Sequence, residues 1–569
     1  MGKGSHTKGC HSRSSNWIPV LLGALTLVGA LLRVWHIGAK SLWIDEAFSA
    51  WVAQQSLGAG VSWLVRIDQH PPLYYALLHV WLRLGDGPAV LRLLSASASV
   101  LNIPVLYALG ARLAGRKVGL LAAAILVLSP FHVYLAQEAR MYALLSLLVS
   151  LSLWALACLV SEGRTTSRWV SGRAVGIART KRPTPGEHRL AVTDLGPLPR
   201  RNGRAPRLAI TDLRRWIAAQ PGIAWAGYIV ATATALWTHN AAVLYWIAAN
   251  AIVLGLWGIG HVHCDGRPWA GALTAPPLRH WALAQGAVLL LWAPWLPGFF
   301  RQSAAVYAHF WLPAPTWRTV LRAIGDFLCA FLPQRIGWTA GIWAGYGALL
   351  ALGLWSLRRR RGGSWFVLAA FALPVGGAWL TSAVRPIFYD RTLIWTTVPL
   401  YLLLAAGLAG LRYRSFVLVA TTMLATLGLL SLRDYYTGFQ KEAWDQGAAY
   451  VAARAEQGDL VLFHATWAQL PFDYYFQRYG VPLEERGVPV DLFARGVLEP
   501  QMTPGDVPAL HELVAGRKRV WLVYSHQWYT DPGGLVPQVL GEALALQSRR
   551  RFYGLEVRLY APTGCPTCP

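Results

Sequence analysis

The stretch NWIPVLLGALTLVGALLRVWHIGAKSLWIDEAFSAW, residues 16–51, joins a long apolar run to a motif with two adjacent carboxylates. A run of about 20 apolar residues is enough to cross the hydrocarbon core of a bilayer. This one follows a basic segment and has no small-residue cleavage site, so it predicts an uncleaved membrane anchor rather than a signal peptide. The two carboxylates, Asp45 and Glu46, should therefore lie just outside the first span, at the membrane surface.

The composition of the whole chain is that of a polytopic membrane protein. Of its 569 residues, 55% are hydrophobic and 14% are charged, whereas soluble domains average about 25% charged residues. The 29 tryptophans suit a protein with two membrane interfaces, where amphipathic rings concentrate. The net charge of +25 could indicate a nucleic-acid partner, but Lys and Arg lie mostly between apolar segments, as topology signals do. We therefore expect membrane lipids, and no nucleic acid, as partners.

Apolar segments of spanning length recur along the chain and predict an α-helical membrane protein with about eleven transmembrane helices. If the N-terminus is cytoplasmic, all the predicted loops on the inner side of the membrane are basic, which agrees with the positive-inside rule. The predicted spans are 17–37, 89–111, 118–135, 141–160, 222–238, 241–259, 281–297, 339–357, 364–383, 392–411 and 415–431.

The segments outside the spans complete the predicted organisation, in which the membrane domain covers 17–431. A basic tail, 1–16, and an Arg-rich and Pro-rich insertion, 162–221, are expected in the cytoplasm. The insertion is best explained as a solvated loop, the alternative being a patch for lipid headgroups or nucleic acid. Two long loops, 38–88 and 298–338, are expected on the outer side, the first with short amphipathic helices along the interface.

The tail, 432–569, alternates helical and strand patterns and predicts a small extracytoplasmic α/β domain. RFYGLEVRLYA, at 551–561, is predicted as its last strand. No glycine-rich phosphate motif follows a predicted strand, so we assign no nucleotide. Cys565 and Cys568 form a spaced pair near the C-terminus, for which a structural role or none is favoured over redox catalysis.

Polar residues of the first outer loop form two candidate clusters. Adjacent helical side chains diverge by about 100°, so one carboxylate of Asp45 and Glu46 can face a cavity while the other contacts protein. The alternative is that both solubilise the start of a surface helix. In DQHPPLYYALLH, residues 68–79, the Pro pair suits a helix start and His70 should be extended before it. The alternative there is an interface helix with snorkelling aromatic residues.

Two further clusters are predicted on the same side of the membrane. In QEAR, Gln137, Glu138 and Arg140 lie between the third and fourth spans. If this stretch is helical, Glu138 and Arg140 need not pair with each other. The planar fork of Arg140 suits a phosphate, although it could equally anchor a headgroup. Tyr389 and Arg391 precede the tenth span, and His239, which ends the fifth, is by itself more typical of a structural histidine.

Together these motifs resemble a known superfamily. The DEA motif after the first span, HPPLYY in the first outer loop, QEARMY before the fourth span, RTLIW at a late span and the outer tail domain are similar to the GT-C membrane glycosyltransferases. The nearest branch is that of the protein O-mannosyltransferases and the lipid A aminoarabinose transferase, a family 39-like group. The resemblance covers residues 17–431 and implies a GT-C fold with a polyprenyl-phosphate sugar as donor.

The resemblance also implies roles for individual residues. Asp45 would be the general base, with Glu46 as its acidic neighbour, and Arg140 would contact the lipid phosphate. Arg391 is given the same phosphate role by extension. The remaining candidate substrate-binding residues are His70, Tyr74, Gln137, Glu138, His239 and Tyr389.

The implied reaction transfers a hexose or pentose, with inversion, to a hydroxyl of a protein, lipid or glycan at the outer face of the cell membrane. No cofactor is required by the sequence, and a divalent metal on Asp45 or Glu46 stays possible because some relatives bind one. Two other classes are compatible with the pattern. A transporter or flippase of lipid-linked sugars would place ionisable groups nearer the midplane and show internal repeats. In the third reading, the membrane portion is a scaffold for a tail domain that carries the activity.

Overall fold

The computed structural model describes residues 17–161, 221–261, 273–309, 314–358, 362–384, 386–492, 494 and 500–563. The predicted cytoplasmic tail, almost all of the Arg-rich insertion, and Cys565 and Cys568 lie outside the described residues.

The membrane portion is entirely helical in the part of the chain described. Its helices, labelled in chain order, are α1 Trp17–Val34, α2 Ile44–Gln54, α3 Leu57–Ile67, α4 Leu73–Trp81, α5 Pro88–Leu113, α6 Arg116–Leu128, α7 Pro130–Ala136, α8 Tyr142–Ser161, α9 Pro221–Thr238, α10 Ala242–His261, α11 Leu278–Trp292, α12 Leu296–His309, α13 Trp317–Cys329, α14 Ala340–Leu357, α15 Gly363–Thr381, α16 Thr397–Gly410 and α17 Arg414–Thr437. Short 3₁₀ turns cover Leu82–Leu84, Ala293–Trp295 and Arg391–Thr396.

Among the described residues, nine helical segments are long and apolar enough to cross a membrane. A tenth is obtained if α6 and α7, which bend by 60° at their junction, count as one span. The predicted span 222–238 forms a helix, α9, but it is not among those that qualify. The protein is thus an integral membrane protein with slightly fewer qualifying spans than the predicted eleven.

The two segments predicted as outer loops, 38–88 and 298–338, contain several helices. As predicted, short helices, α2 to α4, fill the first loop. The segment predicted as a long second loop contains most of α12 and the strongly amphipathic helix α13. Residues 310–313 within its aromatic, Pro-rich part lie outside the described residues.

The C-terminal domain is a five-stranded sheet with helices on both faces, in the strand order β2-β1-β3-β5-β4. β1 is parallel to β2 and β3, whereas β5 runs antiparallel to β3 and β4. Its elements are α18 Trp444–Ala452, β1 Leu460–His464, α19 Gln469–Phe476, β2 Glu484–Gly487, α20 Val507–Val514, β3 Val520–Tyr524, α21 Gln527–Thr530, α22 Leu535–Ala543, β4 Ala545–Phe552 and β5 Leu555–Ala561.

The stretch predicted as one final strand, 551–561, contains the last strand but also the hairpin turn and the end of the strand before it. β4 ends at Phe552 and β5 begins at Leu555. Gly554 has a φ of +80°, a conformation that glycine adopts without a Cβ penalty. The chain therefore reverses there and adds an edge strand that the prediction did not contain.

The C-terminal domain packs directly onto the first outer loop. The Leu42 backbone N–H donates to the Tyr475 hydroxyl at 2.7 Å. Ile44, the first residue of α2, packs against the apolar core on one face of the sheet. The start of α2, which carries both carboxylates of the DEA motif, thus lies at the junction of the two domains.

Candidate active site

The two carboxylates at the start of α2 have opposite environments. Both lie in the first turn of the helix, where the helix dipole favours negative charge. The Asp45 side chain is 37% exposed, whereas that of Glu46 is completely buried, at 0%. The divergence expected for adjacent helical residues is therefore present.

Glu46 is fully bonded to protein. Arg92 of α5 binds it in bidentate geometry, with Nε to Oε1 and Nη2 to Oε2 both at 2.7 Å. Lys441 Nζ lies 2.9 Å from Oε2, and the Ala139 N–H donates to Oε1 at 2.9 Å. Burial alone would raise the pKa of Glu46, but the charges of Arg92 and Lys441 outweigh it and lower the pKa to about 2. Glu46 therefore joins the first outer loop, α5, the QEAR segment and the C-terminal domain.

Arg140 lies beside Asp45, with Nε 3.9 Å from Oδ2. Its Nη1 donates to the Tyr75 hydroxyl at 3.1 Å and to Ser49 Oγ at 3.3 Å. Its Nε is buried and has no hydrogen-bond partner in the described structure. The QEAR stretch is a turn between α7 and α8 rather than a helix, so the helical spacing argument for this stretch does not apply.

An Asp-His pair borders Arg140. Asp68 Oδ1 lies 2.9 Å from His70 Nδ1, and the Tyr75 hydroxyl donates to Oδ2 at 2.7 Å. Burial raises the pKa of Asp68, but His70 above all outweighs this and the pKa falls to about 2. The carboxylate therefore holds a proton on Nδ1 of His70. The ring of His239 packs edge-on against that of His70, with centroids 4.9 Å apart.

Arg391 is the second guanidinium group of this region. Its Nη1 is 3.7 Å from Glu138 Oε2, and Glu138 Oε1 is 3.6 Å from Lys441 Nζ. The guanidinium lies over the rings of Trp43, at 4.8 Å, and Tyr389, at 5.4 Å. These contacts place Arg391, Glu138 and Tyr389 in one cluster.

Three N–H groups of this region are buried with no hydrogen-bond partner among the described residues. They are Nε of Arg140, Nη1 of Arg391 and Nε1 of Trp43. Buried donors are nearly always paired in proteins, and each unpaired one costs about 1–3 kcal/mol. Donors on two guanidinium groups match the geometry of a phosphate or another anion with several oxygens. The region thus has the chemistry of an anion site next to an accessible carboxylate.

Two predicted residues are bonded within the protein core instead. The Tyr74 hydroxyl bonds to Ser95 Oγ at 2.9 Å, and Ser95 in turn donates to the Arg140 carbonyl at 2.9 Å. The Gln137 amide donates to the carbonyls of Arg33 and Trp35, and its oxygen accepts from Tyr435. Both side chains hold the backbone around Arg140 in place.

The described residues do not fit a divalent metal. They contain no group of three or more His, Cys, Asp or Glu side chains arranged to hold one. Of the two suggested ligands, Glu46 has its oxygens committed to Arg92, Lys441 and a backbone N–H.

Three residues of the site were not singled out from the sequence. Asp68 was inside a quoted motif, and its position two residues before His70 was the available signal. Trp43 lies two residues before Asp45, the first residue of the DEA motif. Lys441 is 395 residues from its partner Glu46, so only the tertiary fold brings them together.

The comparisons identify the class of protein to which this fold is similar. Residues 69–186 match the family model of the dolichyl-phosphate-mannose-protein mannosyltransferases. No curated protein has a sequence that matches the chain. A helical membrane domain with a small C-terminal sheet domain is the fold seen in the GT-C membrane glycosyltransferases, and the resemblance inferred from the motifs is confirmed.

Individual structures define the similarity further. ArnT from Cupriavidus metallidurans in the apo state superimposes with a TM-score of 0.57 at 13% identity, over 95% of this chain and 97% of ArnT. ArnT bound to undecaprenyl phosphate gives a TM-score of 0.56 over the same shares, again at 13% identity. The oligosaccharyltransferase of Archaeoglobus fulgidus matches at 0.48 and 12% identity, over 92% of this chain and 72% of its own.

Proposed function

We propose that the protein is a glycosyltransferase that moves a sugar from a polyprenyl-phosphate donor to an acceptor hydroxyl at the outer face of the cell membrane. The observation that carries the proposal is the position of an accessible carboxylate, Asp45, beside Arg140. The buried Nε of Arg140, Nη1 of Arg391 and Nε1 of Trp43 have no hydrogen-bond partner among the described residues. A donor of this kind presents a phosphate at the membrane surface, joined to the anomeric carbon. The likeness to ArnT, which has been seen bound to undecaprenyl phosphate, supports the same donor class.

The proposed reaction is a single displacement. The acceptor oxygen attacks the anomeric carbon while its proton passes to Asp45. The bond between the anomeric carbon and the phosphate oxygen breaks, and polyprenyl phosphate leaves with inversion at the sugar. Arg140 and Arg391 stabilise the charge that develops on the departing phosphate.

The surrounding residues hold these groups in place. Asp68 fixes the orientation of His70 beside Arg140, and Glu46 anchors the turn in which Arg140 lies through the Ala139 N–H. Because buried hydrogen bonds already hold these side chains in position, little free energy is needed to orient them during the reaction. We propose Asp45 as the catalytic base and Glu46 as a positioning residue.

The experiment that tests the proposal measures transfer from radiolabelled undecaprenyl-phosphate sugars in proteoliposomes. General bases contribute about 10²- to 10⁴-fold, so Asp45→Asn should lower turnover by about that factor. Asp86→Asn is the matched control, because Asp86 is exposed in the same outer loop and should leave turnover unchanged. Turnover within twofold of the parent protein in Asp45→Asn would exclude Asp45 as the base.

A further inference from the structure

Lys441 connects the C-terminal domain to two buried carboxylates of the membrane portion. It lies between α17 and α18, and its side chain is 3% exposed. Its Nζ is 2.9 Å from Glu46 Oε2 and 3.6 Å from Glu138 Oε1. Glu46 is also held by Arg92, through two hydrogen bonds of 2.7 Å. Glu138 has one other cation within 4 Å in the described structure, Arg391, so Lys441 and Arg391 share this carboxylate.

The ion pair between Arg391 and Glu138 is incomplete. Nη1 of Arg391 is 3.7 Å from Glu138 Oε2, whereas hydrogen-bonded pairs of this kind are about 2.7–2.9 Å apart. Both atoms are buried, and neither has a hydrogen-bond partner in the part of the chain described. The Arg391 guanidinium is instead held over the rings of Trp43 and Tyr389. Its Nη1 is therefore available to a ligand oxygen.

The charge of Lys441 accounts for the open gap between Arg391 and Glu138. The Glu138 side chain is 1% exposed, and a buried carboxylate without a counterion is costly because water cannot solvate it. With Lys441 present, the carboxylate has a cation near each of its oxygens. Without Lys441, Arg391 would be the only cation left, and closing the gap would become favourable. A closed pair would occupy the Nη1 that we assign to the donor phosphate.

We propose that Lys441 is a positioning residue for the donor, which compensates the charge of Glu138 and so keeps Arg391 free for the phosphate of the polyprenyl-phosphate sugar. The C-terminal domain then contributes to donor binding without touching the donor. The inference rests on the proposed glycosyltransferase function and deepens it, because it assigns control of the phosphate site to a residue outside the membrane domain.

Binding of radiolabelled undecaprenyl phosphate to the full chain in detergent tests this role. Lys441→Met keeps an unbranched side chain and removes its charge. It should raise the Kd by about tenfold, as expected when one hydrogen bond between charged groups is lost. Adding Glu138→Gln to Lys441→Met removes the carboxylate that would capture Arg391, so the Kd should return close to that of the parent protein. Lys518→Met, at an exposed position of the same domain, is the matched control and should bind as the parent protein does.

The double variant separates positioning from a purely structural role. If Lys441 only supported the fold, removal of a second buried charge would not restore binding. An unchanged Kd in Lys441→Met, or a double variant that binds as weakly as Lys441→Met, would therefore overturn the proposal. If Lys441→Met does not fold, Glu138→Gln alone provides the test. It should bind the lipid at least as tightly as the parent protein, and weaker binding would show that Arg391 depends on Glu138.

Failure of the proposed function would give a different result. If neither the parent protein nor Lys518→Met binds undecaprenyl phosphate, the proposed donor is refuted, and the role of Lys441 with it. If the parent protein binds the lipid but Lys441→Met does so equally well, only the positioning role is refuted.

Discussion

Asp45 and Glu46 occupy neighbouring positions in one helix turn, and their surroundings give them different roles. Asp45 is partly exposed and has one cation near its carboxylate, at 3.9 Å. Glu46 is buried between two cations and a backbone N–H. The sequence predicted that the two side chains diverge. It could not predict which of them the core would enclose, because Arg92 and Lys441 reach Glu46 only through tertiary packing.

This difference predicts that two neutralising substitutions affect the stability of the protein unequally. Glu46→Gln leaves the buried Arg92 and Lys441 without their counterion, and breaking a buried pair costs about 3–5 kcal/mol. We expect a clearly lower thermal unfolding midpoint in detergent for Glu46→Gln. Asp45→Asn is the control and should unfold near the midpoint of the parent protein. Equal midpoints in the two variants would show that Glu46 does not stabilise the junction.

At the scale of elements, the QEAR turn shows how side chains outside a segment decide its backbone. Its pattern allowed a helix, yet α7 ends at Ala136 and α8 begins at Tyr142. The Ala139 N–H is bonded to Glu46, and the Arg140 carbonyl accepts from Ser95. Since these bonds replace those of a helix, Arg140 is turned toward Asp45. Hydrophobic periodicity locates the helices on either side but contains no information on such bonds.

The close packing of two membrane helices, α14 and α16, gives a second prediction at this scale. The backbones of α14 and α16 approach each other at two glycines: a Cβ on Gly353 would lie 2.0 Å from the Leu403 oxygen, and one on Gly407 2.1 Å from the Leu349 oxygen. Gly407→Ala should separate the helices and destabilise the protein by about 1–3 kcal/mol. Because the Arg391–Thr396 turn leads directly into α16, donor turnover should fall as well.

Gly376→Ala is the matched control for this change. Gly376 also lies in a membrane helix, α15, but nothing is within 4 Å of a Cβ placed there. Its unfolding midpoint and its turnover should match those of the parent protein. A Gly407→Ala variant as stable as Gly376→Ala would contradict the close approach of α14 and α16.

At the scale of the whole molecule, the sequence predicted the membrane class, most of the spans and the existence of a C-terminal α/β domain. Apolar length and loop charge are local properties, so they are visible in the chain itself. The junction between the domains was not predictable in the same way. Lys441 belongs to the C-terminal segment but binds Glu46 of α2, and nothing in its local sequence indicates this.

The orientation of the whole protein in the membrane can also be tested. The proposal places the C-terminal domain outside and the connection before α17 in the cytoplasm. Tyr553→Cys and Tyr413→Cys, each at an exposed position, would be made in a protein whose six native cysteines are replaced by serine. A membrane-impermeant maleimide added to intact cells should label the first and spare the second. The reverse pattern would contradict the outer location of the site.

The central claim is that Asp45 activates the acceptor while Arg140 and Arg391 hold the donor phosphate. Native mass spectrometry of protein purified from cells tests it most directly. Asp45→Asn should retain intact polyprenyl-phosphate sugar, because binding persists while transfer is slowed. The parent protein should carry mainly the spent polyprenyl phosphate, and Arg140→Ala should carry little of either. Absence of any polyprenyl phosphate species from all three proteins, or the same ratio of the two lipids in Asp45→Asn and the parent protein, would contradict the account.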